Sequence, residues 1–183
     1  GRLEGDRATF GTLDKLLPPP SDDPFALPDF RVELSDARIR LDTAYGPVGA
    51  RFDGGGNIAT SLKGKLAALM PEAALDAKCT ASGLSAYLDV STNSRRISAK
   101  GPIRATAANC AGVNVAFPQA QIDLVTDERF ARVDSDIAAE TKLLRASGTS
   151  LRTARATARV TYADGAFKAD GNASVTGLST EAR

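Results

Sequence analysis

From Asp29 onward, apolar side chains recur at every second position with charged or hydroxylic residues between them. A β-strand with one wet face satisfies that period, and little else does. Phe30, Val32 and Leu34 alternate with Arg31 and Glu33, and Ile39 and Leu41 alternate with Arg38, Arg40 and Asp42. Between these runs the phase slips at Ser35-Asp36. A one-residue slip would send the second run to the wrong face, so a bulge or turn is expected there. Gly46-Pro47 reads as a turn, and Val48, Ala50 and Phe52 as a returning strand. Asp53-Gly54-Gly55-Gly56 then reads as a hairpin turn, with Ile58, Ala59 and Leu62 opening the next strand. The three glycines lack the spacing of a phosphate-binding loop, since Lys63 and Lys65 lie too far along.

The same grammar continues. Leu75, Ala77, Cys79 and Ala81 alternate; after a shift at Gly83, so do Leu84, Ala86, Leu88 and Val90. Ser91 to Ser94 is a polar turn, Ile97 and Ala99 lead to Gly101-Pro102, and Ile103, Ala105 and Ala107 follow. Val113, Val115 and Phe117 alternate before Pro118, and Ala120, Ile122 and Leu124 after it. In the stretch from Glu128 to Gly148, Val133, Ile137, Leu143 and Leu144 favour two weak strands over a helix. Arg152, Arg155 and Arg159 have helical spacing, but the interleaved threonines and the Asp164-Gly165 turn favour a strand, with those arginines on a solvated face. Phe167, Ala169, Gly171, Ala173 and Val175 make the last strand. Before all this, Leu13, Leu16 and Leu17 share a helical face that three prolines terminate, which predicts one short helix followed by a proline-rich linker over residues 11–28. The fold class is therefore mainly β: ten to twelve strands in a long, curved antiparallel meander, in a single β-rich segment spanning residues 1–183.

Composition narrows the function. Histidine is absent, which removes imidazole relays, Ser-His-Asp triads and nearly all zinc sites. The net charge is +1, so no basic surplus suggests a nucleic-acid partner. Aromatics are 5% of the chain and the hydrophobic fraction of 43% is alanine-rich, so a thick globular core is not expected. The carboxylate pairs Asp22-Asp23 and Asp127-Glu128 fall in polar turns, and Asp134 with Asp136 is too sparse for a calcium loop. We expect no catalytic residue, no metal, no cofactor and no enzyme activity. Cys79 and Cys110 have two possible uses, a disulfide or two buried thiols. The disulfide is favoured because closing a loop of about 30 residues stabilises by roughly 3–4 kcal/mol in the chain-entropy account. The chain opens on Gly1-Arg2-Leu3-Glu4 and has no long apolar run, and it reads as an interior piece of a longer protein.

A sheet with one greasy face must cover it with helices, a second sheet or a ligand. With one short helix available, the expectation is an open apolar groove made by curling the sheet, U-shaped in section. The groove-lining candidates are Phe30, Val32, Leu34, Ile39, Leu41, Val48, Phe52, Leu88, Val90, Val113, Val115, Phe117, Ile122 and Leu124.

Several phrases add to this reading: Leu13-Asp-Lys-Leu-Leu-Pro-Pro-Pro20, Pro24-Phe-Ala-Leu-Pro28, Val32-Glu-Leu-Ser-Asp-Ala-Arg-Ile-Arg-Leu-Asp42, Gly46-Pro-Val-Gly49 and Asp53-Gly54-Gly55. With Cys79, Gly101-Pro-Ile-Arg104 and Cys110, this set resembles the YdbH family over roughly residues 10–125. These are large bacterial envelope proteins of the AsmA-like group, related in architecture to TamB. The resemblance implies a bridge-like phospholipid carrier, anchored in the inner membrane and crossing the periplasm. It also implies a partner, an outer-membrane lipoprotein that extends the sheet by strand addition. This chain would be a periplasmic segment of the conduit. The rivals are a structural β-module of a secreted or surface protein without lipid cargo, and a soluble lipid carrier with a closed barrel.

Overall fold

The computed structural model describes residues 2–4, 7–9, 26–146 and 149–180. The helix and linker expected over residues 11–28 fall almost entirely outside them. Within the described residues the chain forms fourteen strands in one sheet. They are β1 (Arg2–Glu4), β2 (Arg7–Thr9), β3 (Arg31–Thr43), β4 (Gly46–Asn57), β5 (Lys63–Asp76), β6 (Cys79–Asn93) and β7 (Arg96–Arg104), followed by β8 (Ala107–Cys110), β9 (Val113–Ala116), β10 (Gln119–Thr126), β11 (Arg132–Thr141), β12 (Leu143–Ala146), β13 (Thr149–Ala163) and β14 (Ala166–Thr180). From β3 to β14 every pairing is antiparallel. The short β1 runs parallel to β3 through Arg2 and Asp42.

The fourteen segments fall into long arms. β7 and β8 lie end to end along one edge of β6, β10 and β9 pair with them in the same order, and β11 and β12 both pair with β13. The chain therefore runs as a serial meander, as its alternating pattern predicts. Three connections are two-residue turns whose central residues take positive φ: Ser94-Arg95, Ala111-Gly112 and Asp164-Gly165. Such turns match the right-handed twist of the strands they join. The weak stretch from Glu128 onward does form strands, β11 and β12, and the arginine-threonine run is β13.

Two turns differ from expectation. Gly54-Gly55-Gly56 is not a turn but the end of β4, paired on one side with Leu34, Glu33 and Val32. On the other side Gly54 and Gly55 pair with Gly64 and Lys63. The glycines serve close packing, because a Cβ on Gly54 would lie 2.3 Å from the Lys63 carbonyl oxygen and one on Gly56 2.3 Å from that of Ser61. The turn is instead built on Asn57, whose Oδ1 accepts from the backbone N–H of Ala59 at 2.9 Å and of Thr60 at 3.2 Å. Ile58 and Ala59 thus belong to the turn, and Ala59 is fully buried in it. Likewise Gly46 begins β4 after a turn at Ala44-Tyr45, and Gly101-Pro102 lies inside β7.

Phase slips keep the apolar residues on one side, and they come in two kinds. At Ser35-Asp36 only β3 slips: the register with β4 shifts between Leu34 and Ala37, and Asp36 sits at φ 51°. This is the expected bulge, and the Asp53 carboxylate accepts the Asp36 N–H at 2.7 Å to hold it. The second kind runs across the sheet. In β6, Leu88 (9% exposed) shares its face with Leu84, Ala86 and Val90, whereas before Gly83 the buried position is Ala81 (8%). The inward positions jump by three residues, from Ala81 to Leu84. Similar three-residue jumps occur at Met70/Ala73, Ala105/Ala108, Val115/Pro118, Thr141/Leu144 and Leu151/Ala154.

These slips lie beside one another in the sheet, so the partner registers are undisturbed: Ser85 faces Arg104, and Ser82 faces Ala107 in step with it. A slip in one strand makes a bulge. The same slip in every strand exchanges the faces along a line, here called the crease. Backbone hydrogen bonds cross it, from Thr106 N–H to the Ser82 carbonyl and from Phe117 N–H to the Thr106 carbonyl, both at 2.9 Å. Gly83 makes the crease possible in β6, with φ 60° and Thr106 Oγ1 placed 2.4 Å from where a Cβ would stand.

Candidate functional site

Register shows which side chains share a face, because directly paired residues project the same way. Ala37, Phe52, Leu66 and Leu88 form one continuous row through β3 to β6. Further across, Gly101, Ile122, Ile137, Ala158 and Gly171 follow one another through β7, β10, β11, β13 and β14. Of the groove candidates, Leu41 faces Val48, Ile39 faces Ala50, and Val32 and Leu34 face Gly56 and Gly54, on the same side of β4 as Phe52. Phe30 lies just before β3, 53% exposed, its carbonyl accepting from the Ile58 N–H at 3.0 Å. Val90 and Leu124 both flank Ala99. Val113 pairs with Cys110, and Val115 with Ala108. Phe117 is placed differently from its sequence neighbours. It stands at the crease with φ 50° and is 62% exposed, so the alternation that includes Val113 and Val115 ends before it.

The other face carries the charge, and opposite charges are register partners. Lys100 meets Asp123 at 2.8 Å, Arg159 meets Asp136 at 2.9 Å, and Arg155 meets Glu140 at 3.4 Å. Arg51 reaches both Asp36 (2.8 Å) and Asp53 (3.0 Å), and Arg38 pairs with Asp36. All are well exposed, so solvent screening leaves each with little effect on stability. Their effect is to disfavour turning this face inward, because bringing these charges out of water would be costly. Arg155 and Arg159 are thereby engaged with carboxylates on a solvated face, as their spacing within a strand suggests.

Asp134 is the most perturbed carboxylate. A two-pronged contact from Arg132 (2.8 and 2.9 Å) and then a hydrogen bond from Thr161 Oγ1 (2.7 Å) hold its pKa at about 2, below the usual carboxylate value. Because the folded value is depressed, its favourable contribution is present above the unfolded pKa of about 3.9 and is lost as pH falls through about 2. A side-chain carboxyl NMR titration should find its midpoint near 2. In Arg132→Gln the midpoint should rise toward the ordinary value; a normal midpoint in the parent chain would contradict the contact. This group is on the outer face and explains register, not chemistry. Asp53 is likewise lowered, chiefly by the Asp36 N–H, in its bulge-holding role.

Two concavities flank the crease on opposite faces. The first, a pocket of about 510 Å³, is lined from β6 to β14 by residues including Leu84, Ile103, Ala120, Leu144 and Val175. Of the candidates, Val115 reaches it; Leu84, Ile103 and Leu144 are apolar positions that the candidate set omits, although their alternation is visible in the sequence. The second, of about 810 Å³, is lined by Thr80, Asn109, Asn114 and Arg145, of the other parity, together with Ala81, Ala108 and Val115, which border both cavities. Among the described residues no cluster of three or more His, Cys, Asp or Glu is placed to hold a metal, and no helix is long and apolar enough to cross a membrane. Cys79 and Cys110 are register partners in β6 and β8 and form a disulfide. Comparison with protein-family models, curated proteins and solved structures finds no match.

Proposed function

We propose that this chain is a segment of a periplasmic lipid conduit, in which a curved sheet forms an open apolar groove that shields phospholipid acyl chains between two membranes. The observation that carries the reading is the crease: six arms of the sheet, β5, β6, β7–β8, β9–β10, β11–β12 and β13, change phase at one level, and the apolar residues stay on one side through it. A sheet that needed only to be stable could leave such a face mixed, whereas a path for hydrocarbon could not. The apolar pocket over the crease lies on that side, with the Lys100–Asp123 and Arg159–Asp136 pairs on the other. Burying hydrocarbon there is favourable by about 25 cal/mol per Å² removed from water.

The Cys79–Cys110 bond supports an oxidising compartment such as the periplasm. The resemblance to the YdbH family supports an inner-membrane anchor elsewhere in the protein, and an outer-membrane lipoprotein partner that adds a strand. Against a closed-barrel carrier stands the topology: among the described residues, β14 pairs with β13 and does not close on β3. A structural β-module without cargo gives no reason for the one-sided apolar face.

The test is extraction of protein purified without detergent, followed by mass spectrometry, alongside incubation with phosphatidylethanolamine–phosphatidylglycerol vesicles. Phospholipid should be recovered in both cases. Lipid-free protein that also takes up none from vesicles would reject the conduit.

A further inference from the structure

Exchanging faces at the crease has a second result. Beyond it, the side opposite the apolar pocket becomes concave, and its lining sets a row of polar side chains among small apolar ones. Thr80, Asn109, Asn114 and Arg145 are successive register partners across β6, β8, β9 and β12, and all four line the 810 Å³ cavity. They form a ladder of hydrogen-bonding side chains at the inter-strand spacing of about 4.8 Å. Asn109 Nδ2 donates to Asn114 Oδ1 at 2.7 Å, which orients both amides. That bond leaves the Asn109 oxygen to accept and the Asn114 nitrogen to donate, side by side.

The neighbouring row on the same face is of a different kind. Ser82, Ala107, Ala116 and Leu143 are register partners, and they provide a low, largely apolar shelf along the polar ladder. Tyr45, 56% exposed, also lines the cavity, as do one acidic residue, Glu72, and one basic residue, Arg145.

We propose that this cavity is a carbohydrate site. A sugar presents hydroxyls along its edge and a C–H face to one side, which matches an amide ladder beside an apolar shelf. An adjacent donor and acceptor suit a pair of neighbouring hydroxyls, and an exposed tyrosine offers a ring for stacking. The near balance of charge selects a neutral glycan over a polyanion, and the hydrogen-bonding ladder beside the shelf suits sugar hydroxyls better than an acyl chain. The ladder residues line this cavity and not the apolar pocket, although Ala81, Ala108 and Val115 border both.

The experiment is an amide NMR titration of the chain with chitotetraose, with cellotetraose, and separately with glycerophosphoethanolamine as a headgroup probe. The expected result is saturable shifts at residues 80–82, 107–116 and 143–145 with at least one of the sugars. Asn114→Ala and Tyr45→Ala should each weaken that binding by about tenfold, with circular dichroism unchanged. If one oligosaccharide binds and the other does not, the difference reports whether acetamido groups are read. Failure of both sugars to shift these residues at millimolar concentration would overturn the proposal. So would shifts produced by the headgroup probe alone. The shift map of the unmodified chain decides the matter even if a variant folds poorly.

Discussion

Ile122→Asp should abolish lipid capture, while Gln121→Asp, one residue away, should leave it near normal. Ile122 stands between Gly101 and Ile137 in the middle of the apolar face, and Gln121 between Pro102 and Ala138 on the other. An unpaired carboxylate beside hydrocarbon costs about 3 kcal/mol or more, roughly a hundredfold in occupancy, whereas the same group in water costs little. Photocrosslinking to labelled phospholipid, with circular dichroism to confirm folding, makes the comparison. Equal loss in both variants, each folded, would show that face parity does not define a lipid path. This pair is cleaner than Phe52 with Arg51. Arg51 contacts Asp36 and Asp53, so an aspartate there would crowd three carboxylates together and disturb the bulge they hold.

Replacing Cys79 and Cys110 by serine should lower unfolding stability by about 3–4 kcal/mol, read from the urea midpoint, because the bond closes a long loop in the unfolded chain. The bond joins residues 31 apart and ties the hairpin at Ala77-Lys78 to the one at Ala111-Gly112. The Ala111 N–H also donates to the Lys78 carbonyl at 2.8 Å. The double variant should therefore fray first at this end of the sheet, with hydrogen exchange accelerating at residues 107–116 before the centre of β6. Unfolded, unreduced parent protein should show almost no reactive thiol. Two titratable thiols would remove the bond and, with it, one support for an oxidising compartment.

The strand-rich class, the sidedness of runs such as Phe30–Leu34 and Val48–Phe52 and the Ser35-Asp36 bulge were legible in the sequence because each depends on residues close in the chain. Phe30 through Leu41 illustrate this: the period of two is a local property, and a single break in it has a local remedy. The glycine cluster at 54–56 misled for the complementary reason. Glycine permits a turn but also permits close approach, and the neighbours that demand the latter, Lys63 and Ser61, come from the next segment of chain. Phe117 fits an alternating pattern with Val115 until the backbone at the crease turns it away.

Local alternation is enough to encode an antiparallel meander with charge on one side and small apolar residues on the other. The shift at Gly83 is visible in it as well, but alone such a shift cannot be told from a bulge or a strand end, and the one after Ala105 is hidden because Ala107 continues the alternation. That the phase shifts lie side by side emerges from strand pairing, because register is a relation between distant segments. Coincidence across neighbouring strands turns separate irregularities into one crease that keeps the apolar face whole. The same pairing brings Cys79 opposite Cys110 and sets Asn109 beside Asn114, contacts that a local period does not encode.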